Sequence, residues 1–166
     1  MQIKEPANHL DHLLKQTRQH HVTLSSMADQ KANMLLTVAS VVLTLALPQL
    51  SNPHYRSSIM ALMVACLLTL GLACYVVMPK LTIGAAKPVM AERNLLFFAD
   101  FDDLSFAQYK QAMETVLNDP GLAYEVQLRE IHGIGQYLAT KKYRFLRWAY
   151  LAFMSGFLLA GALLFV

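Results

Sequence analysis

Three long stretches of this chain carry no charged side chain, and nothing else constrains it as much: residues 32–55, residues 57–79, and everything after Arg147. An α-helix rises about 1.5 Å per residue, so roughly 20 apolar residues cross a hydrocarbon core about 30 Å thick. Each stretch is long enough. With 55% hydrophobic and only 15% charged residues, and a mean hydropathy of +0.36, the chain is too apolar for an ordinary soluble domain. The first stretch starts too far from Met1, and runs too long, for a secretory signal with its core of about 7–15 residues. The expected fold is an all-α integral membrane protein with three transmembrane helices, a small cytosolic helical region, and long helices continuing from cytosol into membrane.

The charges set an expected orientation. Of the 14 Lys and Arg residues, four precede the first span, nine lie between Lys80 and Arg147, and Arg56 alone lies between spans one and two. The positive-inside bias then puts the N-terminus and the middle segment in the cytoplasm and the C-terminus outside. The resulting division is residues 1–31 as a cytosolic N-terminal helix, 32–51 as the first span and 52–56 as an external loop. Residues 57–79 follow as the second span, 80–147 as a cytosolic helical region and 148–166 as the third span. Cys66 and Cys74 both fall inside the second span, where a disulfide framework is not expected. A net charge of +3 without clustered Lys and Arg gives no nucleic-acid footprint.

Ahead of the first span, Leu10, Leu13, Leu14, Leu24 and Met27 mark an imperfect apolar face on a helix that runs directly into the membrane. A Gly- and Pro-containing linker is expected at residues 80–92. The aromatic stretch at residues 94–101 fits a short helix or a packed loop. Ser105 and Gln108 have capping-box spacing, which starts a helix running to about Asn118. Asp119 followed by Pro120 reads as an N-cap with proline at the first helical position, opening a last helix that continues through Tyr143 into span three. Gly133 and Gly135 weaken its middle.

Within the membrane, Asn33, Thr37, Ser40 and Thr44 form one polar stripe along span one. Small residues recur at every fourth position in span two (Ala61, Ala65, Thr69, Ala73) and in span three (Ala152, Gly156, Ala160), as close helix packing requires. Two readings stand side by side. The stripes hold one three-helix bundle together, or they mediate self-assembly, with Thr37, Ser40 and Thr44 lining a contact or watery path between subunits. No Asp, Glu, Lys or Arg lies inside a span, which argues against a proton relay, a voltage sensor or ion-coupled transport.

Candidate chemistry is sparse. His9, Asp11, His12, His20 and His21 lack metal-site spacing and read as a solvated helix face, and His132 stands alone without a nucleophile or carboxylate in triad order. Walker loops, nucleophile elbows and dinucleotide turns are missing, so no enzyme activity, metal or cofactor is expected. Lys141, Lys142, Arg144 and Arg147 precede span three, where they can meet anionic headgroups at about 1 kcal/mol each. Together with Arg93 and Arg129 they also supply cations for a phosphate ligand, while Phe97, Phe98, Tyr109 and Tyr124 supply stacking faces for a base. Aromatics at such spacings equally build cores. Asp29 and Lys31 stand where the N-terminal helix enters span one. There Lys31 can snorkel, and Asp29 can pair with a base such as Lys142 or Arg144, as a hinge or latch or as a plain interfacial anchor.

The segment Met27-Ala-Asp-Gln-Lys-Ala-Asn-Met-Leu-Leu36 resembles the Ala-Asp-x-Lys-Ala signature of the transmembrane Pycsar effectors. Asn94-Leu-Leu-Phe-Phe98 resembles that family's pattern too, as do Leu104-Ser105 with Tyr109, and Leu138, Lys141-Lys142-Tyr143-Arg144 and Leu146, in the same order. The likeness runs from about Leu24 to the end. It implies antiphage defence in the bacterial inner membrane, in which a neighbouring cyclase makes cyclic CMP or cyclic UMP and the effector responds by damaging that membrane. The expected partners are the lipid bilayer, the cyclic pyrimidine nucleotide as activating ligand, and further copies of the chain. Arg93, Asn94, Phe97, Phe98, Tyr109, Arg129, Lys141, Lys142 and Arg144 are the ligand-binding candidates. The region between spans two and three reads as helical, which leaves no room for a cyclic-nucleotide β-roll and calls for a different pocket. The alternative is a constitutive membrane anchor or scaffold that recruits a soluble partner.

Overall fold

The computed structural model describes residues 8–78 and 93–165, and every regular element among them is helical. Helix α1 (Asn8–Ala46) is followed by a 3₁₀ turn (Leu47–Ser51) and α2 (Arg56–Val77). Then come α3 (Phe98–Phe101), α4 (Phe106–Leu117), α5 (Pro120–Tyr137), a π-helical turn (Leu138–Tyr143) and α6 (Arg144–Leu163). Three helical stretches are long and apolar enough to cross a membrane, two of them running from polar sequence into apolar sequence without a break. The linker expected at residues 80–92 lies outside the described residues, as do residues 1–7. The chain divides into two compact units, one of Met1–Thr23 with Pro79–Gln136 and the other of Leu24–Met78 with Tyr137–Val166.

Local chemistry explains where the helices start and stop. No Gly or Pro interrupts α1, and it tightens into the 3₁₀ turn at Pro48, which lacks an N–H and disfavours helix at the residue before it. Asn52 Oδ1 then accepts from the His54 N–H at 3.1 Å, closing the turn ahead of α2. The capping box on α4 is complete: the Ser105 hydroxyl accepts from the Gln108 N–H, and Gln108 Oε1 accepts from the Ser105 N–H at 2.9 Å. Asp119 Oδ1 accepts from the N–H groups of Gly121 and Leu122 at 2.8 and 3.2 Å, with Pro120 opening α5. The aromatic stretch at 94–101, undecided from sequence, is a turn leading into the short α3.

In the apolar unit the core is built from Ala28, Ala32 and Leu35 of α1, Ala73 and Val76 of α2, and Leu146 and Ala149 of α6. Helices α2 and α6 run antiparallel at very close range. A Cβ placed on Gly156 would collide with the Cβ of Ala65. Ser58 Oγ donates to the Ala160 carbonyl at 2.6 Å, and Thr69 Oγ1 lies 3.5 Å from the Ala149 carbonyl while bonding Ala65 O on its own helix at 2.7 Å. The small-residue repeats of these two helices therefore serve contact within the chain.

The polar stripe of α1 does not. Asn33, Thr37, Ser40 and Thr44 are all exposed, so this face, unlike the small residues of α2 and α6, is not covered within one chain. The physical reason is local: Thr37 donates to the Asn33 carbonyl at 3.0 Å and Thr44 to the Ser40 carbonyl at 2.9 Å. A hydroxyl bonded one turn back needs no partner on another helix. The inward face of α1 is made instead by Ala28, Ala32, Leu35, Ala39 and Ala46.

Replacing Gly156 with leucine should destabilise the α2–α6 contact by about 1–3 kcal/mol, the usual cost of overpacking. Gly71→Ala should be silent, because nothing lies within 4 Å of a Cβ there. Thermal unfolding of the detergent-extracted variants would separate the two.

Candidate functional site

In the first unit, α1 meets α5 through polar side chains. Asp11 Oδ1 accepts from the Tyr124 hydroxyl at 2.6 Å, and Arg18 Nε lies 3.0 Å from Glu130 Oε2. The His21 ring lies against Gly135, where an added Cβ would stand 3.3 Å from His21 Cε1. Tyr124 and Glu130 are buried, and His21 Nδ1 is buried with no hydrogen-bond partner among the described residues. The Asp11 hydrogen bond, then burial and the carboxylate's charge, holds the Tyr124 hydroxyl above the ordinary tyrosine pKa of 10.0. The Tyr124–Asp11 contact is thus intact below the ordinary tyrosine range and is lost as pH rises through the raised value.

This corrects two expectations. Asp11 and His21 belong to the contact with α5, whereas His9, His12 and His20 are exposed as expected of a solvated face. The apolar face anticipated before span one is turned partly outward, with Leu13 at 59% and Met27 at 42% exposure. Because α5 presents Tyr124 and Glu130, the α1 residues that meet it carry matching polar groups rather than leucines.

Residues 93–109 fold on their own side chains. Arg93 Nη1 lies 2.7 Å from Asp103 Oδ1 and donates to the Asp100 carbonyl at 3.4 Å. The Asn94 N–H donates to Asp100 Oδ2 at 3.2 Å, and Asn94 Oδ1 accepts from the Leu96 N–H at 3.1 Å. Tyr109 donates to the Leu95 carbonyl at 3.3 Å and packs on Phe101 with ring centroids 4.7 Å apart. Three ligand candidates, Arg93, Asn94 and Tyr109, are therefore brought together, but with their polar groups already engaged. Phe97 and Phe98 pack on each other and remain exposed. Arg129 pairs with Glu125 one turn earlier on α5 at 3.2 Å.

The second unit holds the most fully satisfied polar group of the candidates. Lys142 Nζ lies 2.6 Å from both carboxylate oxygens of Asp29 and 2.8 Å from Ser25 Oγ. An ammonium has three N–H donors, and here all three are taken. The lysine side chain is 9% exposed and the aspartate 37%. Beside this knot, the Tyr143 hydroxyl donates to the Leu24 carbonyl at 3.1 Å, and burial, with the charge of Asp29 and the neighbouring Tyr75, raises the Tyr137 pKa. Of the two bases expected for Asp29, the structure selects Lys142. That choice removes Lys142 from the ligand candidates in this conformation, whereas Lys141, Arg144 and Lys31 are exposed.

The sequence model of the Pycsar effector protein domain matches residues 12–166, nearly the whole chain and all of the contacts just described except Asp11–Tyr124. The chain belongs to the Pycsar effector family. Membership gives it a role in Pycsar antiphage defence, and together with three apolar helices makes it a membrane protein. No curated protein and no solved structure matches it.

Sequence reasoning about this Pycsar effector did not single out Ser25, Arg18 or Glu130. A cue existed: Asp11, Arg18, Ser25, Ala32, Ala39 and Ala46 are spaced seven apart along α1. Each of them either touches α5 or the π-turn through a polar group or is buried.

Asp29→Asn should cost on the order of 2 kcal/mol, because it leaves a buried ammonium facing a neutral amide. The value falls below the range for a fully buried pair since the carboxylate is a third exposed. Thermal unfolding in detergent would measure it, with Lys31→Gln as the exposed control.

Proposed function

We propose that this chain is an antiphage effector that responds to a cyclic pyrimidine nucleotide, cyclic CMP or cyclic UMP, by disrupting the bacterial inner membrane, so that infection aborts. The family match over residues 12–166 carries the reading. Two features of the molecule support it. Helices α1 and α5–π–α6 pass without a break from polar sequence into span-forming sequence, so a change imposed on the polar part of either helix has a continuous backbone along which to act. At the boundary stands the Asp29–Lys142 ion pair, read here as a latch of the resting state.

A ligand shifts such an equilibrium only by binding the two states differently, and moving it from 1:99 to 99:1 takes about 5.5 kcal/mol. Exposed Lys141 and Arg144, and the exposed Phe97–Phe98 pair, have faces free for a phosphate or a base. Arg93 and Arg129 would exchange a carboxylate for the ligand. Self-assembly is part of the proposal: the stripe of Asn33, Thr37, Ser40 and Thr44 is left uncovered within one chain. The charge distribution favours a cytoplasmic N-terminus and a periplasmic C-terminus, with spans at residues 32–51, 57–79 and 148–166.

Dye entry and membrane potential in cells expressing the chain, with an inducible pyrimidine cyclase and a dead-cyclase control, test the reading. Rapid permeabilisation is expected only with the active cyclase. Intact membranes despite confirmed expression and nucleotide would overturn it in favour of a constitutive membrane scaffold. Asp29→Ala should alter toxicity at normal expression if the pair is a latch, and unchanged toxicity with and without the cyclase would remove that role. For topology, a cysteine placed at residue 52 should react with a membrane-impermeant thiol reagent on intact cells, and one at residue 110 should not.

A further inference from the structure

We propose that the outer face of α4 docks on the same face of a second copy of this chain, the two helices lying antiparallel about a two-fold axis. Helix α4 is held from one side: Tyr109, Ala112 and Val116 are half-buried, and Tyr109 packs on Phe101 and donates to the Leu95 carbonyl. The side turned to water should then be polar. It is so only in part. At about 100° per residue, Phe106, Lys110, Met113, Glu114 and Leu117 fall together on one outer stripe. Phe106 is 79% exposed and Leu117 70%, more than any other bulky apolar side chain among the described residues 8–23 and 93–136. All five residues line one open groove. An exposed apolar stripe rimmed by charge marks a contact surface.

The spacing of the stripe fits it to another α4. Lys110 stands four residues after Phe106, and Met113 stands four residues before Leu117, so reversing the helix exchanges these positions pairwise. In an antiparallel pair Phe106 then meets the partner's Leu117 at each end. Lys110 comes level with the partner's Met113, one residue from the partner's Glu114, so opposite charges face each other twice. A parallel pair would set Lys110 on the partner's Lys110 and Glu114 on the partner's Glu114. Like charges thus select the antiparallel arrangement. Both charges are available for it. Among the described residues neither Lys110 nor Glu114 is ion-paired, although they stand four apart on one helix. Lysine ahead of glutamate is the weaker order for such a pair, whereas Glu125 ahead of Arg129 pairs at 3.2 Å. One three-turn face is smaller than a stable interface in solution requires, but two copies held in one membrane meet at a raised effective concentration. The contact rests on the self-assembly read under Proposed function and on no nucleotide.

The test uses the full chain in isolated membranes, with Cys66 and Cys74 replaced by alanine and two differently tagged copies co-expressed. One copy carries Phe106→Cys and the other Leu117→Cys, which leaves the second Phe106–Leu117 contact of the pair intact. Under mild oxidant the 106–117 cross-link should form several-fold faster than 106–106 or 117–117, because eleven residues set like positions about 16 Å apart along an antiparallel pair. Charge reversal checks the pairing. Lys110→Glu in both copies, or Glu114→Lys in both, should slow the 106–117 cross-link several-fold. Lys110→Glu in one copy with Glu114→Lys in the other should restore it, which an effect confined to one helix cannot do. All four altered side chains are exposed, so the substitutions leave the fold of each chain intact. Equal rates for the three pairs, or no recovery when the reversals are combined, would overturn the proposal. Ser40→Cys reports separately on the membrane stripe. Copies that cross-link through residue 40 without a 106–117 preference leave self-assembly standing and overturn the α4 contact, and failure of both overturns the self-assembly with it.

Discussion

Lipid gives apolar helices no hydrophobic reason to meet, and the arrangement of the apolar unit follows from that constraint. Attraction between α2 and α6 has to come from close packing and from hydrogen bonds across the contact. Gly156 supplies the first by letting backbone approach Ala65, and Ser58 supplies the second by reaching the Ala160 carbonyl. Helix α1 joins through Ala28 and Ala32, which are fully buried in one cluster with Ala73 and Ala149. The bulky residues of all three helices, such as Leu45, Leu68 and Leu158, are left to face outward, the reverse of a water-soluble bundle.

The polar contacts divide their costs unequally. Lys142 spends every donor on Asp29 and Ser25 and is almost entirely hidden, while Asp29 keeps a third of its surface in the open. If the pair separates, water reaches the carboxylate readily, so the unfavourable part of opening falls on the lysine. The same asymmetry appears at Arg18 and Glu130, where the arginine side chain is 55% exposed and the glutamate 5%. In both pairs the charge contributed by α1 stays partly hydrated and the charge contributed by the C-terminal helix is buried.

What the sequence revealed was whatever depends on near neighbours. The spans follow from runs without charge, and the starts of α4 and α5 follow from Ser105 with Gln108 and Asp119 with Pro120, groups within three residues of one another. The pairing of Asp29 was narrowed to two bases because both lie just before an apolar run. The inward face of the first half of α1 was read only in part, because leucines were taken as the guide: Leu10, Leu14 and Leu24 are half-buried, but Leu13 and Met27 are exposed. The true face mixes charge, a histidine and small residues at a seven-residue spacing that has no apolar signature. Nor does a sequence show that Arg93 is engaged by Asp103 ten residues on, since many conformations of the intervening turn place them apart. The π-turn escaped notice for a related reason: no residue type in Leu138–Tyr143 marks it, and it is recognised only once the backbone is known.

The hydroxyls of Thr37 and Thr44, each bonded to its own helix, bear on how the protein waits in a membrane. An unsatisfied hydroxyl in hydrocarbon would drive a chain toward any available partner. A satisfied one does not, and trading an internal bond for an external one exchanges like for like. In the proposed self-assembly, encounters along that stripe would then be set by how many chains share a given area of bilayer. On the proposed self-assembly, copy number would be a control in its own right: a sparse population would stay dispersed, and crowding alone would raise the frequency of contact without any change in the chain itself.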